Sequence, residues 1–522
     1  MTRKRPLLLL GLLAATSIPA TAQPPTPPPD PAVQSARQYR QAHEAEILRD
    51  YAELLAIPNV ASDTENIRKN AEVIRDLLAA RGVEAELWTL PDRPDAPPIV
   101  YGRLDGSAPE GGAARTLGIY VHYDGQPVDP ARWTATEPWK PALYTGPVEA
   151  GGEPVPFPEP GQPADPEWRL YARGSGDDKA PIPAILAALD ALRQAGLRPT
   201  SDLVFFFEGE EEAGSTHLED YMRAHRDELQ VDAWLICDGP VHQSRRPQLV
   251  FGVRGYTGID LTVYGAERYL HSGHYGNWAP NPGLLLAHLL ASMRTPDGTM
   301  LIDGFGDSTV PPTEAERRAI AALPDYDAEL RRELGLAQTE ADDAPLAKRI
   351  LHPSFNVRGM ESGAVGDRAR NVIPTTATAT LDIRLAKGNR PEAMQELVEA
   401  HVREQGYHVV REDPDHATRL AHPRIAKVVR RGGYPAARTS MEDPMARQVI
   451  AAARRAAGEE VVLLPTLGGS LPLYLFVEVL EAPVVIVPIA NHDNNQHAPD
   501  ENLRIGNLWY GIELMAAIFT MD

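Results

Sequence analysis

The chain has 522 residues, 43% of them hydrophobic and 24% charged, and carries a formal net charge of -21 at pH 7. This is a globular composition, long enough for two domains or more, and its acidity argues against nucleic acid and anionic lipid as partners, since like charges repel. With Cys237 as the only cysteine, no internal disulfide can form.

In chain order, Arg3, Lys4 and Arg5 precede an apolar run from Leu7 to Ala15, and Ala20-Thr21-Ala22 then supplies the small residues of a cleavage site. Residues 1–22 are therefore expected to be a signal peptide. The run is too short to cross a bilayer of ~30 Å, so the mature protein is expected in the periplasm or secreted, free of the membrane. Losing three cations takes the net charge from -21 to -24. Residues 23–34 are expected to be a proline-rich spacer, QPPTPPPDP from Gln23 to Pro31, extended by its prolines, with the fold beginning near Ser35.

Apolar residues at helical spacing then run over Ala36–Leu55 and Ile67–Leu78, followed by strand-like Ala85–Leu90, Ile99–Leu104 and Leu117–His122. The stretch Thr145–Trp168 is dense in Pro, Gly and Glu and has no period, which predicts a long loop, a flap beside the next motif. Helix at Pro183–Gln194, strand at Leu203–Phe207, helix at Thr216–His225 and strand at Ala233–Cys237 continue an α/β alternation. Cys237 ends an apolar strand and reads as packing. From Gly252 the texture changes, with strands at Thr257–Val263, Ala377–Leu385 and His408–Arg411 and helices at Gly283–Met293 and Pro391–Gln405. The first kind of signal returns at Ala446–Ala457, Val461–Leu464, Val484–Val487 and Leu503–Phe519. The expectation is an α/β catalytic domain in two parts, 35–251 and 434–522, holding an inserted α+β domain at 252–433.

Segments rich in His, Asp or Glu fall at the C-terminal ends of the predicted strands: His122-Tyr123-Asp124, Gly174 to Lys179, Glu208 to Glu212, Cys237-Asp238-Gly239, and Asn491 to His497. That edge of an α/β sheet is where ligands bind. Mixed imidazole and carboxylate donors suit zinc better than calcium or magnesium.

In their order and spelling these segments resemble the carnosinase-like co-catalytic di-zinc peptidases, family twenty of the metallopeptidases, over nearly all of the mature chain. The matching stretches are VHYDGQP, ARGSGDDKA, EGEEEAGS, a late Asp238, and HAPDEN. The resemblance implies a catalytic domain with a mixed sheet flanked by helices and an inserted lid that also makes a dimer contact. It implies two zinc ions per subunit, Mn2+ or Co2+ being able to replace them, with His122 and Asp238 on one ion, Glu212 and His497 on the other, and Asp177 bridging. It also implies a cis peptide between Asp177 and Asp178. His492 competes with His497, but the spacing to Glu501-Asn502 favours His497.

By the same resemblance Asp124 orients His122, as a second carboxylate on the same face of a strand can, and Glu211 is the general base. His271, reached across from a partner subunit, helps stabilise the tetrahedral intermediate, although the surrounding Arg268-Tyr269-Leu270-His271-Ser272-Gly273 departs from the family's Arg-Asp-Leu-His-Ser-Gly, and Ala180 replaces a glycine. Arg384 would bind the substrate carboxylate, with Asn371, Gly469 and Ser470 as further substrate contacts. The reading is zinc-dependent hydrolysis of the amide bond of dipeptides or small peptides through a di-zinc-bound hydroxide, in a homodimer joined through the lid. The alternative is an N-acyl-amino-acid deacylase using the same metals.

Overall fold

The computed structural model describes residues 30–107, 115–341, 343–469 and 471–521. The expected signal peptide, residues 1–22, and Gln23 to Pro29 lie outside them. The first helix, Pro31–Leu55, starts earlier than the apolar spacing predicts. Asp30 caps it by accepting the N–H groups of Ala32 and Val33, and Pro31 sits in its first turn, where the missing N–H costs nothing. The proline density that suggested a spacer up to residue 34 therefore ends in a helix start.

An eight-stranded mixed sheet is built from both ends of the chain. Its order is Glu84–Trp88, Ile99–Leu104, Asp202–Glu208, Thr116–His122, Ala233–Ile236, Val484–Ile486, Gln248–Val250 and Val462–Leu464. The strands ending at Glu208, His122, Ile236 and Ile486 run parallel to one another, so their C-terminal ends share one edge. Alternation along Thr116–His122 serves two layers. Leu117, Ile119 and Val121 face the layer of Tyr51, Ile185 and Ile512, while Tyr120 faces Trp234 and Phe476. At Gly118 a Cβ would stand 2.3 Å from the Trp234 ring, so only glycine lets that ring lie on the strand. The helix Pro181–Gln194 is buried on all sides from Pro181 to Leu192, between the sheet and the helices Pro31–Leu55 and Ile505–Phe519. Cys237 is buried and unpaired.

A second, five-stranded sheet comes wholly from the insertion, in the order Ser354–Glu361, Thr376–Leu385, Gly255–Tyr264, Ile425–Arg430 and His408–Val410. The helices Pro282–Ala291 and Pro391–Glu404 cover it through Leu286, Leu289, Met394, Val398 and Val402. The strands Ser354–Glu361 and Ile425–Arg430 are additions to the predicted set.

The segment Thr145–Trp168 is not one continuous loop. Pro154–Val155 pairs with Leu143 and Tyr144, which pair with Arg169–Tyr171, which in turn pairs with Asn502–Arg504. This small antiparallel sheet joins the chain before the Asp177 turn to the chain after His497, and so brings two distant motifs together.

Candidate metal centre and active site

The strand Thr116–His122 delivers His122 at its end and Asp124 two residues on. The strand Asp202–Glu208 leads into a short 3-10 turn at Glu211–Ala213, and Ala233–Ile236 leads to Asp238. Between Arg169–Tyr171 and the buried helix lies the turn with Asp177 and Asp178, whose shared peptide bond is cis.

Asp177 stands between two imidazoles: Oδ1 lies 3.1 Å from Nε2 of His122 and Oδ2 lies 3.0 Å from Nε2 of His497. His497 Nε2 is also 3.3 Å from Oε2 of Glu212. Two sets of side chains have ligating atoms within 4.8 Å of one another: His122, Asp178 and Asp238, and Asp177, Glu212 and His497. The predicted ligands His122, Asp177, Glu212, Asp238 and His497 are thus brought into two adjoining groups. Asp178, given no role by the motif reading, joins the first group, and its carboxylate also accepts the His122 backbone N–H at 3.3 Å. The doubled Asp of GDDK was the available signal.

Side chains behind the site hold it in place. Glu501, fully buried, accepts the N–H groups of Gly174, Gly176 and Asp177 at 2.8 to 3.0 Å and Arg173 Nη1 at 2.7 Å. Gln126 donates to Oε2 of Glu212 at 2.7 Å. Asp124 lies 3.3 Å from Nδ1 of His122, but its hydrogen bonds go to the backbone N–H groups of Glu211 and Glu212 at 3.1 and 3.0 Å. It thus fixes the Glu211 turn as directly as it faces His122. Asp493, left outside the predicted ligands, forms a bidentate pair with Arg169.

The electrostatics fit bound cations. Burial pushes the carboxyls of Asp178 and Glu211 well above the usual range, Glu212 to about 7 and Asp238 to about 6, and neighbouring carboxylates add to each. Burial opposes ionisation of Asp177 too, yet His122 and His497 outweigh it and hold that group below the usual range. Nδ1 of His122 and Oδ2 of Asp177 are buried, and their close partners, Asp124 and His497, make ionic contacts rather than well-aligned hydrogen bonds. Crowded carboxylates, two imidazoles and donor atoms without aligned hydrogen bonds suit divalent ions held by nitrogen and oxygen, which would neutralise the excess charge.

A family model described as peptidase family M20/M25/M40 matches residues 118–521. The chain belongs to that family. As an M20 member with these two ligand groups, it is a metal-dependent peptidase. It is 27% identical over 484 residues to the Cys-Gly metallodipeptidase DUG1 of Saccharomyces cerevisiae, covering 89% of this chain and 92% of that one. To the human Beta-Ala-His dipeptidase it is 26% identical over 514 residues, covering 95% and 93%. Among solved structures, the M20 metallo-carboxypeptidase Sso-CP2 of Sulfolobus solfataricus superposes with a TM-score of 0.70 at 27% identity, covering 91% of this chain and 98% of that one.

Of the remaining predicted residues of this M20 chain, His271, Asn371 and Arg384 belong to the inserted unit, and Gly469 meets it through Arg254. His271 is exposed on a short pairing of Leu270–His271 with Val372–Ile373, outside both ligand groups. The Asn371 carbonyl accepts the N–H of Ser272 at 3.0 Å. Arg384 lies over the Tyr256 ring at 5.4 Å and 3.5 Å from Asp382. The Gly469 carbonyl accepts the N–H of Arg254 at 3.2 Å, and Ser470 lies outside the described residues.

Proposed function

We propose that this protein hydrolyses the peptide bond of unblocked dipeptides with two zinc ions, held by His122 and Asp238 on one side, Glu212 and His497 on the other, and Asp177 between them. The observation that carries the reading is the division of the Asp177 carboxylate between His122 and His497. One carboxylate presenting an oxygen to each of two imidazoles is the arrangement a shared ligand needs. The curated relatives, named as dipeptidases and matched over most of their length, support the substrate class.

Divalent ions bound there supply Lewis acidity that activates water and polarises the scissile carbonyl. Glu211 takes the proton of the attacking water and returns it to the leaving nitrogen. Its surroundings suit the task, since burial and nearby carboxylates raise its affinity for a proton. Asp124 holds the Glu211 and Glu212 N–H groups, so the base and its neighbouring ligand keep a fixed separation.

His271 serves the site of a second subunit. Gly273 donates its N–H to Nδ1 of His271 at 3.1 Å, so in the neutral ring Nε2 carries the proton, the form that donates to an oxyanion. Tyr269, Trp278, Leu284 and Val365 are exposed on the same inserted unit, Trp278 by 79% and Val365 by 77%. Apolar surface of this kind supports a homodimer through the insertion. Arg384, Asn371, Gly469 and Ser470 take the substrate carboxylate and its neighbourhood, and residues 1–22 direct export.

The deciding assay sets unblocked dipeptides beside tripeptides and matched N-acetyl amino acids, with zinc supplied. Cleavage of the dipeptides is expected. Preference for the N-acetyl compounds would replace this reading with a deacylase.

A further inference from the structure

The turn after the strand Asp202–Glu208 carries both Glu211 and Glu212, yet it belongs to no sheet. It includes Gly214 and Ser215 in left-handed conformations, with φ of 90° and 50°. Asp124 fastens its start through the N–H groups of Glu211 and Glu212. Its other end is closed by Glu210. The Glu210 carbonyl accepts the N–H groups of Ala213 and Ser215 at 3.1 and 3.0 Å. Its carboxylate, on a residue only 6% exposed, reaches forward to His217. Oε1 accepts the His217 backbone N–H at 2.6 Å, and both oxygens lie 3.0 Å from His217 Nδ1. A carboxylate only accepts, so Nδ1 is the donor and the ring is locked in that orientation.

We propose that His217 is a positioning residue for the reaction: by clamping Glu210 it fixes the 210–217 turn, and with it the direction in which Glu211 meets the attacking water. This rests on the general-base reading of Glu211. His217 itself belongs to neither ligand group, so its effect passes through the backbone. Without the ring the Glu210 carboxylate keeps only the backbone N–H of residue 217, and the turn rests on that bond, on the Glu210 carbonyl and on Asp124, so the base gains freedom to drift by a fraction of an ångström to an ångström. Misplacement on that scale is enough to cost up to ~100-fold in rate.

The test uses the full-length, zinc-loaded enzyme with Ala-Gly as substrate, zinc content measured by mass spectrometry and Tm by thermal denaturation. His217→Leu is expected to lower kcat by ~10- to 100-fold, with KM and zinc content within about twofold of wild type. His217→Gln, whose amide can donate to Glu210, is expected to recover most of that loss. A purely structural histidine would lower Tm and leave kcat per zinc-loaded molecule unchanged. Retention of more than half of wild-type kcat by His217→Leu, or failure of His217→Gln to recover activity, overturns the inference. If His217→Leu does not fold, Glu210→Ala removes the ring contact together with the bond to the residue-217 backbone N–H and must show a kcat loss at least as large. Glu211→Gln is assayed alongside. Full activity in that variant defeats the general-base reading and this inference with it, whereas an inactive Glu211→Gln beside a normal His217→Leu defeats this inference alone.

Discussion

Oε1 of Glu501 accepts the backbone N–H of Asp177 at 2.9 Å, across 324 residues of chain. The same carboxylate takes two more N–H groups of that turn and the buried Arg173 guanidinium, so Glu501 of HAPDEN holds Asp177 of GSGDDK in position.

Three substitutions separate holding from bridging. Asp177→Ala should lose metal from both positions and most activity, and two zinc ions per chain after purification would sink the bridging assignment. Glu501→Gln keeps shape but weakens the grip on the turn, so it should fold and release zinc to a chelator faster than wild type. Glu501→Ala strands a buried cation and should cost about 3 to 5 kcal/mol of stability, seen as a lowered Tm.

Glu211→Gln preserves size and hydrogen bonding while removing basicity. Near-normal zinc content is expected together with a kcat loss of roughly 10² to 10⁴. A variant keeping more than about a tenth of wild-type kcat would remove Glu211 as the base.

If His271 acts across the dimer, two inactive variants should complement. Mixing Glu211→Gln with His271→Ala subunits and allowing exchange builds heterodimers with one intact site each. With random pairing, activity should reach about a quarter of wild type. No gain over the separate variants would place His271 in its own subunit's site, or outside catalysis.

Acid should loosen the inserted unit. On the helix Pro391–Glu404, burial raises the Glu399 carboxyl, but hydrogen bonds from Arg411 and Arg430 outweigh it and bring its pKa from an ordinary 4.5 to about 2. A depressed carboxyl stabilises the fold above its ordinary value and loses that contribution as pH falls through its folded one. Wild-type Tm should therefore drop as pH goes from 4.5 towards 2. Glu399→Gln should start lower at neutral pH and change less over that range, and parallel curves for the two proteins would contradict this.

Much of the site was legible in the amino-acid order. Period-two and helical spacing mark the longer elements, so local pattern put His122, Glu212 and Asp238 at the ends of predicted strands, while their ligand roles followed only from the resemblance carried by the order of the motifs. The long helices and central strands carry the same information, because each buries one whole face or all of its surface. Less was visible where the pairing is short or the partner distant. The antiparallel sheet through Leu143, Pro154–Val155, Arg169–Tyr171 and Asn502–Arg504 uses strands of two or three residues, too short to show a period. The strand Ser354–Glu361 is mostly exposed, and so lacks an apolar face to betray it. The roles of Asp178, Glu501 and His217 depend on which backbone N–H or ring nitrogen a carboxylate meets after folding. A motif names the acid, but its hydrogen-bond partners are chosen by packing between segments far apart in the chain, and that choice exists only once the sheets have brought those segments to one edge.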